Sequence, residues 1–275
     1  MTSPLISAPE LRTVLSPSPR GRVSVLDVRY RLGGPPGFEE FARGHLPEAA
    51  YVDLDRDLAD PPGTGGRHPL PTQERFAAAM SAAGVSTGRP VVVYDDWSGR
   101  AAARCWWLLR YFGHADVRVL DGGWSAWKRS GGPVETGAGF AGPPGKPVLE
   151  PGGMRTLDAD DVLDFARRGL LLDARDRERY DGTVEPLDPV AGHIPGAVNM
   201  PTGRNLTKQG TFRDDLAGVY PDADEVAVYC GSGVTATHDI LALASIGRPA
   251  ALYAGSWSGW INDPARPVAT GDRPG

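Results

Sequence analysis

The fold is decided by residues 226–236, which read VAVYCGSGVTA. The first four residues and the cysteine form a short apolar run with β-branched and aromatic side chains, which is typical of a buried strand. A glycine-rich loop follows, and residues 236–246 (ATHDILALASI) then have the pattern of a helix. Strand, tight loop and helix in this order indicate a parallel sheet covered by helices.

The same arrangement occurs earlier, where residues 91–95 (VVVYD) precede a predicted helix at residues 100–112. Further landmarks recur in matching order in the two halves of the chain: Asp-x-Arg within 25–29 and 171–175, Gly-His-x-Pro at 44–47 and 192–195, and Gly-Gly/Ser-Trp within 122–127 and 255–260. Ordered repetition of this kind predicts two copies of one α/β domain, each with a mainly parallel sheet flanked by helices.

The predicted domain boundaries follow from length and composition. A chain of 275 residues exceeds the usual size of one hydrophobic core, so we expect two domains. Residues 131–153 are rich in glycine and proline and have little periodic apolar signal, which is typical of a linker. The expected division is residues 1–135 for the first domain, 136–154 for the linker and 155–275 for the second domain.

Composition narrows the possible partners and location. Apolar residues make up 41% of the chain and charged residues 23%, as expected for a folded protein with a sizeable core. The net charge of −5 and the scattered basic residues give no face for nucleic acid. We see neither a signal-like N-terminus nor an apolar run of about 18 residues, so we expect no membrane association and a cytoplasmic protein.

The cysteines and histidines give no sign of a metal site. Cys105 and Cys230 form no CxxC pair, and the five histidines lack the spacing of metal ligands. We therefore expect no disulfide, no metal and a reducing compartment. Cys105 lies within a predicted apolar helix, where a cysteine is normally a small core residue.

Cys230 has the more reactive setting. Gly231 and Gly233 allow the loop to curl so that backbone N–H groups point inward, and the following helix adds partial positive charge at its N-terminus. Both effects stabilise a thiolate, so the sequence predicts a nucleophile. The alternative is a cysteine that only packs at the end of a strand, and the glycine-rich loop disfavours it.

The segment CGSGVTA, residues 230–236, resembles the active-site loop of mercaptopyruvate sulfurtransferases within the rhodanese family. The paired landmarks are also similar to that family, and the resemblance covers almost the whole chain. It implies two tandem rhodanese-like domains of which only the second is catalytic, because Asp95 stands where the first copy would need its cysteine. It also implies a persulfide on Cys230, no cofactor, a small-molecule sulfur donor, and a thiol acceptor such as a thioredoxin-like protein or a low-molecular-weight thiol.

The resemblance implies a set of donor-binding residues in the loop and one arginine beyond it: Gly231, Ser232, Gly233, Val234, Thr235 and Arg179. Mercaptopyruvate enzymes often carry a second arginine shortly after the position of Arg179, but residues 185–189 (EPLDP) contain none.

His45 is a further candidate. The animal enzymes of the family have a Ser-His-Asp arrangement near the donor, and Ser232 and His45 match two of its members. The aspartate position falls near Gly34. A structural role for His45 stays open, because His193 occupies the same turn in the second copy.

The donor is predicted from loop charge. Loops of the CRKGVT type resemble those of thiosulfate users, in which a cation attracts a dianion. Here Ser232 takes the place of the basic residue, which favours the monoanion 3-mercaptopyruvate. A thiosulfate:cyanide sulfurtransferase remains the alternative.

Functions of other classes are less consistent with the sequence. A rhodanese-related phosphatase would need an arginine at position 236 to grip the phosphoryl oxygens, and that residue is Ala236. A cysteine hydrolase would need a histidine base near Cys230, whereas His238 lies about two turns into the helix. A non-catalytic rhodanese-like binding module is disfavoured for the second copy by its intact cysteine loop.

Overall fold

The computed structural model describes residues 3–16, 22–31 and 33–275, and it divides into two compact units. The first unit comprises Met1–Asp60, Pro71–Met154 and Lys208–Thr211. The second comprises Pro61–Leu70, Arg155–Thr207 and Phe212–Gly275. The segment 61–70 therefore belongs to the second unit, although the first half of the sequence contains it.

The first unit is built on a parallel sheet in the order β1-β5-β4-β2-β3. Its strands are β1 (Leu5–Ile6), β2 (Ser24–Asp27), β3 (Ala50–Tyr51), β4 (Val91–Tyr94) and β5 (Val117–Leu120). Its helices are α1 (Ala8–Leu15), α2 (Gly37–Arg43), α3 (Leu54–Asp57), α4 (Gln73–Ala82), α5 (Arg100–Tyr111) and α6 (Gly123–Arg129).

The second unit has the same strand order, β6-β10-β9-β7-β8, and all its strand pairs are also parallel. Its strands are β6 (Thr156–Leu157), β7 (Leu170–Asp173), β8 (Val198–Asn199), β9 (Val226–Tyr229) and β10 (Ala251–Tyr253). Its α-helices are α7 (Val162–Arg168), α8 (Arg177–Asp181), α9 (Ala236–Ser245) and α10 (Ser256–Trp260), and 3₁₀ turns lie at Ala159–Asp161, Thr202–Asn205 and Leu216–Gly218.

The central strands β4 and β9 are buried along their whole length, which is why their sequences are continuous apolar runs and do not alternate. The predicted α/β class, with a parallel sheet and flanking helices in each copy, is confirmed. Within the described residues, no helix is long and apolar enough to span a membrane.

The repeated sequence landmarks contact one another within each unit. In the second unit Arg175 forms a buried ion pair with Asp173 at 2.6 Å and donates to the carbonyl oxygen of Gly192 at 2.7 Å. The same guanidinium lies 4.7 Å above the ring of Trp257. Arg29 makes the equivalent contacts in the first unit. One buried arginine thus ties the strand end to two loops, which explains why these motifs recur together.

Asp95, the counterpart of Cys230, fills the loop after β4 in the first unit. Its Oδ1 accepts the N–H groups of Trp97 and Gly99, both at 2.8 Å, and its Oδ2 accepts those of Ala101 and Ala102 at 2.8 and 2.9 Å. Burial raises the pKa of Asp95, while the four N–H donors oppose that rise. The Asp95 carboxylate therefore supplies the negative charge to which these four backbone N–H groups donate.

Asp95→Asn should lower the free energy of unfolding by about 2–4 kcal/mol, because the new amide NH₂ would face backbone N–H groups left without an acceptor. Urea denaturation would measure the loss. Asp96→Asn is the matched control, since Asp96 pairs with the exposed Arg31 and its replacement should cost less than about 1 kcal/mol. Equal losses for the two variants would contradict this role of Asp95.

Candidate active site

Cys230 follows directly after β9, and the loop 231–235 connects it to α9. Its Sγ accepts the N–H of Gly233 at 3.2 Å. Its own N–H donates to Ser256 Oγ at 3.0 Å. Only 1% of the residue is exposed, so its Sγ is shielded from water. The backbone N–H of Gly233 thus points inward at the sulfur of Cys230.

Two positions in this region have left-handed backbone. Gly233 has φ +79°, and a Cβ there would lie 2.5 Å from the carbonyl oxygen of Ala254, so only glycine fits. Ser256 has φ 52° although it carries a side chain. Gly123, its counterpart in the first unit, has the same φ. Holding serine in this conformation costs about 1–2 kcal/mol, which suggests that its hydroxyl is needed.

The hydroxyl of Ser256 contacts both Cys230 and the last residue of strand β10. It donates to the carbonyl oxygen of Tyr253 at 3.0 Å and lies 4.0 Å from the sulfur of Cys230. The N–H of Trp257 donates to the carbonyl oxygen of Cys230 at 2.9 Å, and the N–H of Ser258 donates to that of Gly231 at 2.9 Å. The start of α10 therefore fixes the first residues of the loop.

The remaining loop residues lead into the helix. Val234 is buried, and its carbonyl oxygen accepts the hydroxyl of Thr237 at 2.7 Å. Thr235 is the N-cap residue of α9. The sequence-predicted loop residues are thus brought together around Cys230.

Ser232 contacts a histidine that the sequence did not single out. His68 Nδ1 lies 2.8 Å from Ser232 Oγ, although 164 positions separate the two residues in sequence. The segment 61–70 carries this histidine into the second unit. Ser232 and His68 together form a polar pair that can donate or accept a proton within the loop region.

His45 has a different environment in the first unit. Its Nδ1 lies 2.9 Å from the carbonyl oxygen of Phe41, and the two rings stack with centroids 4.0 Å apart. His193 repeats both contacts with Tyr180, at 2.8 Å to its carbonyl oxygen and 3.8 Å between ring centroids. The matching arrangement supports a packing role for both histidines.

The segment 61–70 is attached to the second unit by specific hydrogen bonds. The side-chain amide of Asn262 donates to the carbonyl oxygens of Gly63 and Thr64, both at 3.2 Å. The backbone N–H of Arg67 donates to Ser258 Oγ at 3.1 Å. Gly66 has φ +104° and passes so close to the backbone of Gly255 that a Cβ would lie 2.8 Å from its carbonyl oxygen.

Two guanidinium groups lie against the loop residue next to the cysteine. A Cβ placed on Gly231 would be 2.9 Å from Arg67 Nη2 and 3.3 Å from Arg179 Nη1. Glycine at this position therefore leaves room for both guanidinium groups beside Cys230. Arg179, which the sequence predicts as a donor-binding residue, thus lies beside the loop, and Arg67 is a second guanidinium group there that the sequence did not single out.

Both arginines have acidic partners. Arg179 bonds Glu185 through Nε at 3.1 Å and through Nη2 at 2.8 Å, and Asp188 through Nη2 at 2.9 Å. Arg67 Nη1 pairs with the other oxygen of Asp188. Residues 185–189, which contain no second arginine, thus supply two carboxylates to Arg67 and Arg179.

The signals for Arg67 and His68 were weak. Both lie in PPGTGGRHPLP, residues 61–71, whose glycines and prolines indicate only an irregular loop. An arginine and a histidine together in such a stretch are the one cue, since irregular loops often carry functional side chains.

The second cysteine, Cys105, and the histidine that follows the loop, His238, are both buried in helices. Cys105 is fully buried in α5, and burial raises the pKa of its thiol, so it stays protonated at neutral pH. His238 is buried in α9, where its Nδ1 lies 3.3 Å from Asn205 Nδ2 and its ring stacks on Phe212. Across residues 3–16, 22–31 and 33–275, no three His, Cys, Asp or Glu side chains are grouped to hold a metal ion.

Comparison with known proteins agrees with this fold. The model of the rhodanese-like domain matches residues 11–130 and 157–263. The chain therefore belongs to the rhodanese family of sulfurtransferases, and the predicted pair of tandem rhodanese-like domains is confirmed.

Individual relatives are similar over nearly their full length. The chain is 44% identical to a protein of Mycobacterium tuberculosis named "Putative thiosulfate sulfurtransferase SseB", with 97% of each chain covered. It is also 44% identical to a "Probable 3-mercaptopyruvate sulfurtransferase" of Pseudomonas aeruginosa, with 90% of this chain and 92% of that one covered. The crystal structure of SseA from Escherichia coli, titled as a 3-mercaptopyruvate sulfotransferase, has a TM-score of 0.81 at 32% identity and covers 94% of this chain and 100% of its own.

Proposed function

We propose that this protein takes sulfur from 3-mercaptopyruvate as a persulfide on Cys230 and passes it to a thiol. The observation that carries the proposal is the grouping of a shielded sulfur, two guanidinium groups and a serine–histidine pair around one loop. Cys230 accepts the sulfur. Arg67 and Arg179 bind the carboxylate of the donor. The Ser232–His68 pair donates a proton to the departing product.

The first step is a nucleophilic displacement at sulfur. The Cys230 thiolate attacks the thiol sulfur of the donor, and a sulfur–sulfur bond forms as the carbon–sulfur bond breaks. The electron pair of the broken bond leaves on carbon as the enolate of pyruvate. The persulfide remains in the loop, where backbone N–H groups such as that of Gly233 stabilise its negative charge.

The need for a proton favours 3-mercaptopyruvate over thiosulfate. Pyruvate enolate becomes a stable product only when it is protonated, whereas thiosulfate releases sulfite, which needs no proton to leave. The Ser232–His68 pair offers a proton at the loop, and a positioned acid of this kind contributes about 10²–10⁴-fold to a rate. Thiosulfate is the second candidate donor, because two guanidinium groups can also hold a sulfonate.

A thiol acceptor completes the cycle. Its thiolate attacks the outer sulfur and leaves with it, which regenerates the Cys230 thiolate without oxidant, metal or organic cofactor. We place this acceptor among low-molecular-weight thiols or thioredoxin-like proteins. The reaction requires a reduced cysteine, so a cytoplasmic location fits the chemistry. The loop after β4 in the first rhodanese-like domain carries no sulfur, because Asp95 fills it. That domain contributes to the reaction through Arg67 and His68 of the segment 61–70.

Cys230→Ser should abolish sulfur transfer to cyanide or a thiol, while Cys105→Ser should retain it, because only Cys230 lies beside the N–H groups of the loop. Mass spectrometry of the protein after treatment with 3-mercaptopyruvate should show one added sulfur atom on Cys230. Sulfur found on Cys105 alone would contradict the proposed function.

His68→Gln should lower kcat/KM for 3-mercaptopyruvate by about 10²-fold, because the enolate would lose its proton source. The same variant should change thiosulfate turnover little, so that thiosulfate serves as the internal control. Ser232→Ala should show the same donor-dependent loss. Steady-state kinetics with both donors and cyanide as acceptor make the comparison, and equal losses with both donors would rule out a proton-transfer role for the pair.

A further inference from the structure

Asp188 bridges the two arginines at the cysteine loop. One of its carboxylate oxygens accepts Arg179 Nη2 at 2.9 Å, and the other pairs with Arg67 Nη1. The carboxylate is only 3% exposed, whereas the side chain of Arg67 is 32% exposed and that of Arg179 is 16% exposed. The acid thus lies beneath the two cations and is shielded from water.

The carboxylates balance the charge of the arginines. Glu185 and Asp188 carry two negative charges against the two positive charges of Arg67 and Arg179. Arg175, which also contacts Glu185 at 3.4 Å, already has its own buried partner in Asp173. Because both acids are buried, dissolved salt screens them weakly. The anion site is therefore close to neutral before a donor arrives.

Glu185 and Asp188 differ in what else they hold. Glu185 also accepts the backbone N–H groups of Leu187 and Asp188, both at 3.1 Å, so its removal would disturb the chain itself. The bonds of the Asp188 carboxylate go to Arg67 and Arg179. Asp188 is thus the position at which the charge of the site can be changed with the least change in shape.

We propose that Asp188 determines which donor charge the site accepts: together with Glu185 it neutralises Arg67 and Arg179, and the site thereby selects a monoanionic donor over a dianionic one. This inference rests on the proposed function, in which the anionic end of the donor lies at these two arginines. A site with two uncompensated cations would attract thiosulfate, a dianion, about twice as strongly as the single carboxylate of 3-mercaptopyruvate in electrostatic energy. With Asp188 in place that advantage is largely removed.

Asp188→Asn tests this directly, because asparagine has nearly the same shape and can still accept a hydrogen bond from one guanidinium. The variant adds one positive charge to the site, and a dianion gains from it twice what a monoanion gains. The ratio of kcat/KM for thiosulfate to that for 3-mercaptopyruvate should rise by about tenfold or more. Asp215→Asn is the matched control, because it removes the same charge from an exposed ion pair with Arg213 and should leave the ratio unchanged.

Direct binding gives a readout that needs no turnover. Calorimetric titration of sulfate, an unreactive dianion, and of pyruvate, a monoanion, should show that Asp188→Asn tightens sulfate binding more than pyruvate binding. Arg67→Gln changes the charge in the opposite direction at a partly exposed side chain, and it should weaken sulfate binding more than pyruvate binding.

Parallel changes for sulfate and pyruvate in both variants would overturn the proposal and would leave Asp188 as a residue that only positions the arginines. A wrong assignment of the donor would give a different experimental result. If wild-type protein uses thiosulfate better than 3-mercaptopyruvate, the assigned donor is wrong, while the shift caused by Asp188→Asn still decides the role of Asp188.

Discussion

The convergence of backbone N–H groups after the central strand is the constraint on which the rest of the structure depends. Buried N–H groups need acceptors, and leaving one unpaired costs about 1–3 kcal/mol. In the first unit the acceptor is the carboxylate of Asp95, which receives four N–H groups. In the second unit the loop presents the N–H of Gly233 to the sulfur of Cys230. The two copies therefore place different acceptors at the same point, a carboxylate in the first unit and a sulfur atom in the second.

The positive charges beside the loop that follows β9 are balanced by buried carboxylates. Arg175 is neutralised by Asp173 and serves to tie the strand end to its loops. Arg67 and Arg179 share Asp188, and their guanidinium groups remain beside Gly231. The site also depends on the segment 61–70, because Arg67 and His68 reach the loop from there. A fragment cut within residues 136–154 would keep Cys230 and lose both of these side chains.

The sequence was sufficient for the regular structure and for the position of Cys230, since buried parallel strands appear as unbroken apolar runs and the two copies repeat each other. Strands β4 and β9 and helices α5 and α9 lie where these patterns predict them. Arg67 and His68 could not be predicted in the same way, because an irregular loop has no periodicity and their partners are more than 120 positions away. The left-handed backbone of Ser256 was also hidden, because serine carries no sequence signal for that conformation.

In the proposed function, sulfur from 3-mercaptopyruvate is held on Cys230 beside the N–H groups of its loop. A crystal structure of the protein after treatment with 3-mercaptopyruvate tests this most directly. We expect electron density for one extra sulfur bonded to Cys230 Sγ, within hydrogen-bond distance of backbone N–H groups of residues 231–235. This density should be absent from crystals treated with pyruvate. An unmodified Cys230 in a crystal whose protein carries the added sulfur elsewhere would contradict it.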